Sequence, residues 1–156
     1  MASGRAGFIL ANNFRIFPGQ TSPEDLLSAG NYPASGSYID VSACERVHVL
    51  VHLGAINAGD TPNFHLKAAE AVDGTVDTVS STALSIEVAA DDDDEYITWT
   101  LETRKLPLDH HFVTMVVADV ANAAYADITF LLEDRSLPVT QSTSILPAAS
   151  QLEYVG

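Results

Sequence analysis

Five histidines, one cysteine and a run of acids are the side chains here whose types could do chemistry. His48 and His52 lie four residues apart in an alternating segment, so on a strand they share a face. At about 3.3 Å per residue their backbones stand roughly 13 Å apart, too far to share one ion unaided. His65 is isolated, and the adjacent His110 and His111 point to opposite faces of an extended chain. Zinc sites set one close pair of Cys or His against a second. With Cys44 alone and no HExxH or CxxC, that pattern is not made, and neither a metal nor a cofactor is expected. The histidines read instead as groups on a polar sheet face. The run Asp91–Glu95 contains no glycine or asparagine to wrap a calcium ion, so it reads as a solvated hairpin tip.

Nucleophile signatures are missing as well. There is no GxSxG elbow, no phosphate-binding GxxxxGK[ST] and no GxGxxG. Cys44 stands beside Glu45, with only Arg46 near enough to favour a thiolate, and reads as a small packing residue. Trp99 falls between Ile97 and Leu101 on one side of a strand, which suits a core better than a sugar platform. No pair among the 21 acids is set apart for glycoside chemistry. The expectation is a protein without catalytic residues.

The elements that would carry these groups are strands. In Glu45–Leu53, Val47, Val49, Val51 and Leu53 take one face and Arg46, His48, Leu50 and His52 the other, a period of two. The same alternation recurs at Phe64–Ala69, Ala83–Val88, Tyr96–Glu102, Phe112–Val120 and Ala124–Glu133. Weaker strands are expected at Ser37–Val41 and Thr75–Val79. Turn chemistry separates them at Gly54–Pro62 and at Asp73-Gly74. Seven or eight short strands without intervening helices predict an all-β fold, an antiparallel β-sandwich of jelly-roll type. One short helix is expected near 22–28, with Ser22 as cap, Pro23 at its first position, Glu24 and Asp25 at its positive end, and Gly30 as its stop.

The 156 residues suit one domain, and 47% apolar content is enough to fill a core. The net charge of −14 disfavours nucleic acid and anionic membrane as partners. No secretory leader is expected, since the apolar run near the start is only Phe8–Ala11. Texture divides the chain into an N-terminal arm at 1–36, a β domain at 37–133 and a C-terminal arm at 134–156. The arms carry unusual apolar content: Phe8, Ile9, Leu10, Phe14, Ile16 and Phe17 in one, and Ile145, Leu146, Leu152 and Tyr154 in the other. These ten are the candidate assembly contacts, either wrapping their own domain or lying across neighbouring subunits.

Residues 37–133 carry a particular order of features. Asp40, Glu45 and Arg46 lead into alternating valines, then the turn Gly54–Asp60. The run Leu66–Ala71 follows, closed by Asp73-Gly74-Thr75, and later come a Leu108-Asp109 loop and paired strands ending near Glu133. This order resembles the capsid decoration, or head auxiliary, proteins encoded among the head genes of tailed bacteriophages. The resemblance implies a β-sandwich that docks on the outside of an assembled head, often as a trimer, and strengthens the shell against packaged DNA. It implies the major capsid protein and sister copies as partners, synthesis in the host cytoplasm, and a final place on the virion exterior. It brings no catalytic residues. Other readings of the same texture are a neck, tail or fibre-associated sandwich, a glycan-binding jelly roll, and an enzyme on a cupin-like scaffold.

Overall fold

The computed structural model describes residues 14–19, 26–56, 61–79, 85–87, 92, 94–118 and 124–135. These form eleven strands in two antiparallel sheets. In chain order they are β1 (Phe14–Pro18), β2 (Leu26–Leu27), β3 (Gly30–Tyr32), β4 (Ile39–Asp40), β5 (Cys44–Leu53) and β6 (Asn63–Ala69). Then come β7 (Asp77–Thr78), β8 (Ser85–Glu87), β9 (Tyr96–Glu102), β10 (Phe112–Ala118) and β11 (Ala124–Asp134). A 3-10 turn, Thr103–Lys105, follows β9.

The first sheet runs β1-β11-β5-β9, with β2 pairing the start of β11. The second runs β3-β10-β6-β7, with β4 also on β10 and β8 also on β6. Every ladder is antiparallel, as short connections without crossover helices require. All eight strands expected from alternation are present. Three more, β1 to β3, come from the segment read as an N-terminal arm.

The expected helix near 22–28 is not there at its C-terminal end. Leu26–Leu27 is a strand on Ala124–Tyr125, with Gly30–Tyr32 on β10 just after it. Tertiary pairing along β11 and β10 outcompetes the local helix signal there. The proposed cap and first turn, Ser22 to Asp25, lie outside the described residues.

Alternation decides which side of each strand is buried. Val47, Val49, Val51 and Leu53 of β5 meet Ile128, Phe130 and Leu132 of β11 on the inner side of the first sheet. Phe64, Leu66 and Ala68 of β6 and Val113, Met115 and Val117 of β10 supply the facing layer. Trp99 and Leu101 close the β9 side. Each of the large side chains contributes about 1.5–3 kcal/mol by leaving water. Thr114 and His110 are the buried polar residues among those described, and the Thr114 hydroxyl donates to the Pro33 carbonyl at 2.8 Å. After β1, Gly19 donates its N–H to the Ile128 carbonyl at 2.7 Å, and a Cβ there would stand 2.8 Å from the Ile128 side chain. Only glycine allows so close an approach.

Candidate functional site

β5 is flanked by β11 and β9, so its outward residues occupy the middle of the exposed face of the first sheet. Register sets the rows across that face. Asp127, His52 and Tyr96 form one row, Thr129, Leu50 and Thr98 the next, then Leu131, His48 and Thr100, then Glu133, Arg46 and Glu102. β1 adds Ile16 beside Leu131 and Phe14 beside Glu133. The face is thus graded, with ions at one end, apolar side chains in the middle and an aromatic pair at the other end.

At the ionic end Arg46 Nη1 donates to Glu133 Oε2 at 3.1 Å. Arg104 Nη2 lies 2.7 Å and Lys105 Nζ 3.5 Å from Glu102 Oε2. The Arg104 hydrogen bond holds the Glu102 carboxyl below its ordinary pKa. At the far end the His52 and Tyr96 rings stack in parallel, 4.3 Å between centroids. Tyr96 remains exposed.

Between the ends lies a groove of about 330 Å³. Phe14, His48, Leu50, Thr98, Thr100 and Leu131 line it, with Val49 and Trp99. Among the described residues none of its lining side chains is a carboxylate, although the chain carries 21 acids. His48 is held in place from three sides. Its Nδ1 lies 2.9 Å from Thr100 Oγ1, its Nε2 3.8 Å from Glu133 Oε2, and the Phe14 ring meets it edge-on at 5.6 Å.

Of the expected assembly contacts, Phe14 lines this groove, Ile16 shares its face and Phe17 turns inward against the core. Phe8, Ile9, Leu10, Ile145, Leu146, Leu152 and Tyr154 lie outside the described residues. Residues 1–13 lead into Phe14 and residues 136–156 follow Arg135. Because Phe14 pairs with Glu133, both segments start from the same corner of the sheet, beside the groove. Sequence reasoning placed Leu50 and Leu131 on a polar face and missed the groove. The available signal was that each is a large apolar residue on the outward side of an otherwise polar alternation.

Two clusters lie elsewhere. On the inner side of β1, Arg15 Nε lies 2.7 and 2.9 Å from the two carboxylate oxygens of Asp134, and its Nη2 donates to Cys44 Sγ at 3.0 Å. The Cys44 thiol donates to Asp134 at 3.2 Å. Burial, reinforced by Asp134 and opposed by Arg15, pushes that thiol up to about 12, which makes it a packing group and not a nucleophile. Just before β10, buried His110 bridges the Leu108 carbonyl through Nδ1 and Asp77 Oδ2 through Nε2, both at 2.9 Å. A shallow hollow of about 300 Å³ adjoins it, bordered by Leu108, His111 and Arg135.

Among the described residues, no three His, Cys, Asp or Glu side chains gather as a metal site needs. His48 and His52 share the outer face, each engaged with a different neighbour. No protein-family model and no curated protein matches the chain.

Proposed function

We propose that this chain is a structural virion protein that binds the outer surface of an assembled phage head and stabilises the shell. The observation that carries the reading is the groove between Phe14 and Thr98. It is an apolar hollow whose described lining residues include no carboxylate, on a strongly acidic molecule, placed where both apolar terminal segments begin. Burying such a patch favours association with a protein surface. The likeness of residues 37–133 to head decoration proteins names that surface as the major capsid protein. A charge of −14 suits the outside of a head and opposes contact with the packaged DNA. A protein that binds the assembled shell, and not its dissociated parts, stabilises the shell by mass action. The bound form implied by the likeness is a trimer.

The test is cosedimentation with emptied heads of the phage that encodes the chain. Leu50→Glu and Leu131→Glu place a charge in the groove while leaving the inner faces of β5 and β11 intact. Each is expected to weaken head binding at least about tenfold, with an unchanged circular dichroism spectrum. Wild-type protein that stays in the supernatant would overturn the reading. Binding with three copies per site, and heads that resist heating longer when coated, would support it.

A further inference from the structure

Three of the four outer edges of the two sheets are made from short pieces: β2 and β1 along β11, β3 and β4 along β10, β8 and β7 along β6. β1 also ends in Pro18. The fourth edge, β9, is seven residues without interruption and keeps register with β5 throughout. Its sequence, YITWTLE, has no proline, glycine or lysine to guard it. Among the described residues, β5 is its only partner. Unguarded edges of this kind accept another strand, because their outward N–H and C=O groups are a template for pairing.

Which groups face outward follows from one contact. The Leu53 N–H donates to the Glu95 carbonyl at 2.8 Å, so this rung is hydrogen-bonded. Alternation along an antiparallel ladder then turns the backbone groups of Ile97, Trp99 and Leu101 toward β5, and those of Tyr96, Thr98, Thr100 and Glu102 toward the open side. The side chains of Thr98 and Thr100 are exposed. Charge adds a direction. Asp92, Asp94 and Glu95 stand just before β9, and Arg104 and Lys105 just after it, with side chains 78% and 67% exposed. A copy laid antiparallel sets each acidic start beside the other's basic end.

We propose that two copies of this chain pair edge to edge through β9 about a two-fold axis at Trp99, joining their first sheets into one. Thr98 of one copy then faces Thr100 of the other in a hydrogen-bonded rung, and the ladder is self-complementary, as a two-fold contact requires. Trp99 lies on the axis. It is buried, yet its indole N–H has no acceptor among the described residues. A second backbone along this edge brings a row of carbonyls to it. The pairing goes beyond head binding and needs no capsid, so either reading can fail without the other.

Light scattering of the full chain at about 100 µM, without heads, tests the pairing through two variants. Thr98→Pro removes an outward N–H and leaves the β5 ladder whole, a position where an edge strand tolerates proline. Arg104→Glu with Lys105→Glu turns the charge attraction into repulsion. The wild type is expected at twice the 16.6 kDa chain mass. Thr98→Pro should give the single-chain mass with an unchanged circular dichroism spectrum. The double charge variant should raise the dissociation constant roughly tenfold or more at low salt, with a smaller gap at high salt. A wild-type monomer, or a larger species whose mass neither variant changes, overturns the proposal. If Thr98→Pro fails to fold, the charge variant decides alone, and an unchanged dissociation constant overturns it.

Discussion

His110 has an acceptor at each ring nitrogen, the Leu108 carbonyl and the Asp77 carboxylate. A neutral imidazole carries one N–H and can serve only one of them, so the imidazolium is the form that fits. The Leu108 carbonyl first, then Asp77, with Glu70 adding to the field, raise its pKa above the ordinary 6.5 against the opposing effect of burial. A raised folded value means that the stabilisation is complete below 6.5 and is lost as pH climbs through the folded value. The stability advantage of wild type over His110→Gln is therefore expected to shrink as pH rises above 6.5 in denaturant titrations. An advantage that stays constant would mean a neutral imidazole. Trp99 gives a second test at this scale. Trp99→Ala should cost roughly 3–5 kcal/mol, as the loss of a large buried aromatic does. Trp99→Phe should cost less than about 1.5 kcal/mol, because no acceptor among the described residues meets the indole nitrogen. Denaturant midpoints in dilute solution separate the two.

Strands with an apolar side and a polar side were legible as elements, and β5, β9 and β11 show why: Val49, Trp99 and Phe130 all fall on the faces that their alternation assigned. β1 was hidden because its charged Arg15 points in beside Phe17 while Phe14 and Ile16 point out. Arg15 is satisfied inside by Asp134 and Cys44, partners 119 and 29 residues away, and nothing local announces them. Leu26–Leu27 shows the opposite failure: a local helix signal ran into an edge of β11 that was open to a two-residue strand. The same reach across the chain conceals His110 and Asp77, 33 residues apart and brought together only when the second sheet forms. The groove was half legible. Phe14 stood out by its type, whereas Leu50 and Leu131 became neighbours only through the register of β5 and β11.

Across the whole molecule, charge and apolarity are segregated along the chain. Residues 14–135 hold 20 of the 21 acids, while residues 1–13 and 136–156 contain one base, Arg5, and one acid, Glu153. A nearly uncharged pair of segments attached to a strongly acidic body is suited to contact a partner while the body stays solvated. Deleting both segments spares all eleven described strands, so the β circular dichroism and a cooperative melt should persist while binding to heads falls at least about tenfold. Loss of the cooperative melt would show that the segments belong to the fold itself. The corner from which they leave has a topological consequence. Phe14 and Glu133 are opposite one another on adjacent strands, so the path of the polypeptide is nearly a closed circuit. A two-residue turn could join β11 to β1 as an ordinary hairpin. New ends could then be opened in the exposed loop at Gly36 without removing a single rung. The sandwich depends on which strands are adjacent, and hardly at all on where the chain is cut.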